Sequence, residues 1–182
     1  MLELALHILD IAENSVRAKA KTVSIDVTEQ RTADLLTIEI GDDGVGMSPA
    51  TLERAMDPFY TTKKVRRVGL GLPMLADAAQ RAGGRFEIRS EEGVGTNLKV
   101  TFRLSHIDRQ PLGDITGSLV SLIVGNAGVD FLYRHRCDGR SFTLDTREIR
   151  EEIGDIPINT VEVIKFIRAY IQEGLSEIGT NA

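Results

Sequence analysis

The stretch Gly41-Asp42-Asp43-Gly44-Val45-Gly46-Met47 constrains this chain more than any other, because three glycines and two carboxylates directly follow the apolar run 35–40. Glycine lets a backbone approach a ligand, or take a positive φ, without a Cβ in the way. A carboxylate at a strand end can accept a hydrogen bond from an exocyclic amine. Two readings fit these residues: the floor of a nucleotide pocket, or a β-hairpin turn, for which Asp-Gly after alternating apolar residues is a common signal. The flanking segments have to decide between them.

Upstream, Leu2, Ala5, Leu6, Leu9, Ala12 and Val16 recur at helical spacing and predict an amphipathic helix over residues 2–18. Its other face carries Glu3, His7, Asp10, Asn14 and Arg17 in one polar stripe. A solvated, ion-paired face accounts for most of that stripe, and His7 reads as a satisfied helix histidine. Asn14 fits less well, since Asn favours caps and turns; its amide oxygen suits Mg²⁺. Residues 22–28 and 35–40 predict an antiparallel strand pair joined by a polar loop over 29–34. Ser48-Pro49 opens a short helix. The irregular, hydroxyl-rich and basic segment 57–67 then leads to Gly69-Leu70-Gly71-Leu72-Pro73 at the start of a second amphipathic helix that stops at Gly83-Gly84. Free N–H groups and the helix dipole at such a start favour bound anions. Strands at 85–90 and 96–104 flank a hairpin turn over 91–95.

Taken jointly, an Asn on a long helix, Asp42-Asp43-Gly44-Val45-Gly46-Met47, Asp57-Pro58-Phe59-Tyr60-Thr61-Thr62-Lys63, Gly69-Leu70-Gly71-Leu72 and Gly93-Val94-Gly95-Thr96 resemble the GHKL superfamily over residues 1–105. That superfamily shares the Bergerat ATP-binding fold among sensor histidine kinases, DNA gyrase, mismatch-repair ATPases and a heat-shock chaperone. The resemblance implies an α/β two-layer sandwich, a mixed sheet under helices. It makes Asn14 the Mg²⁺ ligand, Asp42 the reader of the adenine amine, and Gly44 and Gly46 the turn against the base. Thr96 supports the adenine, Lys63 and Arg17 contact phosphate, and Gly69, Gly71 and Leu72 belong to the lid and the helix start behind it. The kinase branch is the better match for the lid segment, the mismatch-repair branch for Ile11-Ala12-Glu13-Asn14-Ser15. Asp10 stands where ATP-hydrolysing branches carry a Glu general base. Its shorter arm sets the carboxylate back by roughly 1.5 Å, enough to predict slow hydrolysis. Arg67 replaces the first glycine of the usual kinase lid. The strands that normally precede the Asn helix, and a phosphoacceptor histidine, are not in the sequence.

Residues 111–182 match no family by their motifs. They predict a smaller C-terminal α+β appendage: an apolar helix at 112–124, a hairpin of strands 130–136 and 141–145, a short helix at 146–153 and a long one at 159–178. His135 and Cys137 read as a packed or solvated pair. The expectation is an interaction domain, docking on the ATP domain or mediating self-association as a homodimer. Net charge −5 argues against a nucleic-acid surface. The single Cys137 and the absence of a long apolar run predict a cytoplasmic protein with no membrane span. The cofactors expected are ATP and Mg²⁺, and the partner expected is a protein. Three functions remain open: phosphate transfer to that partner, ATP-gated binding of it, and slow ATP hydrolysis.

Overall fold

The computed structural model describes residues 3–57 and 71–180. Helix α1 (Leu4–Arg17) is followed by the antiparallel pair β1 (Thr22–Gln30) and β2 (Leu35–Asp42), then by α2 (Pro49–Ala55) and α3 (Gly71–Arg81). Strands β3 (Phe86–Glu91) and β4 (Gly95–Arg103) form a hairpin, and β4 pairs antiparallel with β2. Beyond residue 111 come α4 (Ile115–Gly125), β5 (Asp130–Cys137), β6 (Arg140–Asp145), α5 (Thr146–Ile153) and α6 (Val161–Ile178).

All described strands belong to one mixed sheet of order β3-β4-β2-β1-β5-β6. The β5–β6 hairpin joins it through a parallel β1–β5 pairing in which Ile25 lies opposite Tyr133 and Val27 opposite His135. The boundary expected near residues 105–111 therefore falls between strands of a single sheet. Strand alternation sends Val23, Ile25, Val27, Leu36, Ile38, Ile40, Leu98, Val100 and Phe102 to one face, where each is buried beneath the helices. The other face carries polar residues such as Asp26, Glu39, Lys99 and Arg134, with ion pairs Lys99–Glu39 and Arg134–Asp26 across neighbouring strands. Helices on one side of a mixed sheet make the α/β sandwich.

The structure separates the two readings of the glycine-rich stretch and corrects the expected faces of α1. Residues 43–48 do not close a hairpin, because β2 runs into a loop leading to α2 while its sheet neighbours are β1 and β4. The buried stripe of α1 is Leu4, Ala5, Ile8, Ile11, Ala12 and Ser15, turned from the expected one, so Leu6 stays 40% exposed. His7, placed on the polar stripe, is buried: the segment 110–114 straps the start of α1. Leu4 and Ala5 donate their N–H groups to the carbonyls of Pro111 and Leu112 at 2.9 and 2.8 Å, which satisfies two orphan donors of the first turn. His7 Nε2 meets Gln110 Oε1 at 3.1 Å in the same strap.

Glu29, assigned to a polar loop, is instead the last core-facing residue of β1 and is 1% exposed. A buried carboxylate needs partners. His135 Nε2 lies 2.8 Å from Glu29 Oε1, Tyr133 Oη lies 2.7 Å from His135 Nδ1, and Thr180 Oγ1 donates to the same Glu29 oxygen. Burial, with Glu29 nearby, pushes the Tyr133 hydroxyl well above its ordinary range. This network ties β1, β5 and the end of α6 together in the interior.

Candidate functional site

A cavity of about 390 Å³ opens between α1, the end of β2, the loop after it, α2 and the first turn of α3. Its inner walls are apolar, with Ile11 from α1, Ile40, Ile88 and Leu98 from the sheet, and Val45 and Met47 from the loop. Two polar groups stand on the sheet side, Asp42 and Thr96, in register opposite each other on β2 and β4. Toward α3 the lining becomes polar, with Asp10, Asn14 and Arg17 on the exposed side of α1 facing Gly71 and Leu72. An apolar slot with a carboxylate on its floor and a polar mouth suits a flat heteroaromatic ring carrying a charged tail.

The two carboxylates of the glycine-rich loop are used differently. Asp43 Oδ1 accepts from the N–H groups of Lys21 and Thr22 at 2.7 and 2.9 Å, fixing the start of β1. Those bonds, Thr22's foremost, hold its carboxyl below the usual carboxylate range. Asp42 points inward instead. Its Oδ2 accepts from Ser15 Oγ at 2.6 Å, and its Oδ1 accepts from the Gly44 N–H at 2.9 Å. Ser15, one turn from Ile11 on α1 and 4% exposed, is a positioning residue that sequence reasoning passed over. A lone Ser after Asn14 gives no signal until α1 and β2 are placed side by side. Beneath the floor, Thr96 Oγ1 lies 2.8 Å from Ser90 Oγ, and Ser90 Oγ accepts from the Met47 N–H at the same distance, joining β3, β4 and the loop.

The loop's shape depends on Gly46, at φ +64°, where a Cβ would lie 1.8 Å from the Glu91 carbonyl oxygen. Gly44 stands just behind the cavity, against the Ala18 carbonyl. Gly71 opens α3 so close to α1 that a Cβ would lie 2.1 Å from Asp10 Oδ2. The structure thus gathers Asp10, Asn14, Arg17, Asp42, Gly46, Gly71, Leu72 and Thr96 around one cavity. Lys63 and Gly69, with the part of the expected lid (59–71) that precedes Gly71, lie outside the described residues.

For Mg²⁺, the described residues contain no group of three or more His, Cys, Asp or Glu side chains able to hold a metal ion. Mg²⁺ seldom needs one; it keeps its waters and binds through one or two protein oxygens plus substrate phosphates. Asn14, which lines the polar mouth with Asp10 one turn away, carries an amide oxygen of that kind, and the residues fit the ion.

Comparisons with known proteins bear on the family and the fold. Residues 2–106 match the family described as histidine kinase-, DNA gyrase B-, and HSP90-like ATPase. Sporulation kinase C of Bacillus subtilis is 31% identical over 96 residues, covering 53% of this chain and 22% of that protein. Sensor histidine kinase WalK of the same organism is 36% identical over 94 residues, 49% of this chain and 15% of that protein. The chain therefore corresponds to less than a quarter of either kinase. Among solved structures, the Aquifex aeolicus MutL ATPase domain complexed with ADP overlays with a TM-score of 0.54 at 17% identity, covering 84% of this chain and 68% of that one. The N-terminal domain of a DNA repair protein overlays with a TM-score of 0.56 at 14% identity over 100% of this chain and 58% of that one. These overlays are likenesses of fold, and they extend past residue 106 into the β5–β6 half of the sheet. With its family match spanning more than half of its length, the chain belongs to the histidine kinase-, DNA gyrase B- and HSP90-like ATPases.

Proposed function

We propose that this protein binds ATP with Mg²⁺ in the cavity between α1 and α3 and uses the bound nucleotide to act on a separate protein in the cytoplasm, as a phosphate donor to it or an ATP-gated binder of it. The observation that carries the reading is Asp42, a carboxylate braced by Ser15 and the Gly44 N–H at the floor of an apolar slot. An adenine amine donates to such an acceptor. Asn14 would hold the metal, and Arg17 and the first turn of α3 lie where the phosphates would leave the slot. Bound Mg²⁺ supplies neutralisation of phosphate charge. Asp42 orients the base, the apolar walls exclude water from it, and Asp10 stands at the phosphate end. A slow ATPase is the second reading, favoured by the presence of Asp10 at the cavity mouth beside Gly71.

The test is calorimetry on Asp42→Asn, which places a donor against the adenine amine. Losing a hydrogen bond to a charged group costs about 1.5 to 3 kcal/mol, so ATP affinity should fall at least tenfold. Unchanged affinity, or equal binding of GTP by the wild type, overturns the assignment. For the phosphate-donor branch, γ-³²P-ATP label should appear on a partner captured with the protein.

A further inference from the structure

The oxygen best placed for the metal already has a cation on it. Arg17 Nη1 donates to Asn14 Oδ1 at 2.5 Å, while Nη2 of the same guanidinium donates to Glu13 Oε2 at 2.8 Å. The three residues lie within four positions on one side of α1, so the arrangement is local and forms with the helix itself. It is also readily undone. The Arg17 and Glu13 side chains are 46% and 48% exposed, and surface ion pairs of this kind contribute little.

We propose that Arg17 is a built-in stand-in for the metal, occupying Asn14 Oδ1 until Mg²⁺ arrives and supplying positive charge to the phosphates when it does not. This inference rests on the nucleotide site proposed above and specifies how that site depends on its ion. A guanidinium at 2.5 Å from the amide oxygen and a divalent ion on the same oxygen repel each other, so the two are alternative occupants. Without Mg²⁺, Arg17 stays on Asn14 with its charge directed to the cavity mouth, where it lines the same wall as Asp10. With Mg²⁺, the guanidinium leaves the oxygen and turns outward on its flexible stem. Arg17 therefore strengthens metal-free nucleotide binding and opposes metal binding. An ordinary phosphate contact would strengthen both nucleotide forms equally.

The experiment is isothermal calorimetry of ATP with the full chain, in EDTA and over a Mg²⁺ titration, for wild type, Arg17→Gln and Arg17→Lys. Arg17→Gln is expected to weaken ATP binding in EDTA about fivefold, the upper end for an exposed charge interaction, and to lower the Mg²⁺ concentration for half-maximal tightening by a similar factor. Arg17→Lys, which keeps the charge but not the planar fork, should fall between the other two. Circular dichroism confirms that the variants fold, as expected for a side chain on the helix surface. Equal weakening in EDTA and in saturating Mg²⁺, or no effect in either, overturns the stand-in role while the nucleotide site remains. If wild type binds no ATP in either condition, both the stand-in and the site fail.

Discussion

Gly71 and Asp10 fit each other by size. A methyl group at residue 71 would meet Asp10 Oδ2 at 2.1 Å, so Gly71→Ala must move either the carboxylate or the first turn of α3. Overpacking of this kind costs about 1 to 3 kcal/mol, and part of it should appear as weaker ATP binding by calorimetry, because both groups line the cavity mouth. His7 makes a different prediction. Burial, aided by the positive N-terminus, pulls its pKa below the ordinary 6.5, so the folded chain keeps it neutral at pH values where the unfolded chain protonates it. The unfolded state then binds more protons, and stability falls as the pH drops below about 6.5. His7→Gln should flatten the decline in Tm between pH 7 and pH 5. A variant with the wild-type slope would show that other groups govern acid sensitivity. The family resemblance points to Asp42, whereas the glycine-rich stretch by itself does not separate it from Asp43. The sequence could not show that Asp43 is committed to the Lys21 and Thr22 amides, or that Ser15 supports Asp42, because those bonds join residues 21, 22 and 27 positions apart.

The helices and strands were legible almost throughout because their signals are local. Ser48 accepts from the Thr51 N–H and Pro49 follows at the helix start, as the sequence predicts for α2. What periodicity leaves open is which side of an element faces inward when apolar residues occupy more than one side. Leu6 and Val161 repeat at helical spacing yet stand 40% and 60% exposed, because α1 and α6 turn other residues toward the sheet and toward α4. Close packing of α6 on β6 shows at Gly174, where a Cβ would lie 2.0 Å from the Phe142 ring. Gly174→Ala is expected to destabilise the protein by about 1 to 3 kcal/mol, a drop in Tm of roughly 2 to 12 °C, with ATP affinity unchanged because the residue is remote from the cavity. A thermal melt beside the calorimetry checks both halves of that expectation.

Across the whole molecule, the sheet continues past the family match, and its two halves share a core. The strap over α1, the β1–β5 ladder and the Glu29–His135–Tyr133 network all cross the line at residue 106. Thermal unfolding of the full chain should be a single cooperative transition. Truncation after Ser105 should leave an aggregating fragment, since it bares the β1 edge and removes the His135 and Thr180 contacts of Glu29. A soluble monomeric fragment as heat-stable as the full chain would show two independent units. The sequence offered docking of residues 111–182 on the ATP domain as one expectation, but it could not give the β1–β5 register or bring Glu29, which reads as a loop residue, to His135. A parallel pairing between distant strands leaves no local pattern to find.

The parallel β1–β5 ladder also sets a timetable. Glu29 and His135 are 106 positions apart, so during synthesis β1 waits for its neighbour while the intervening chain is made. At about 5 to 20 residues per second that wait is roughly 5 to 20 s, with a hydrogen-bonding strand edge exposed on the nascent chain. Closing so long a loop also makes folding slow in vitro. Native yield on dilution from denaturant should therefore fall as protein concentration rises, as open β1 edges find one another before their own β5.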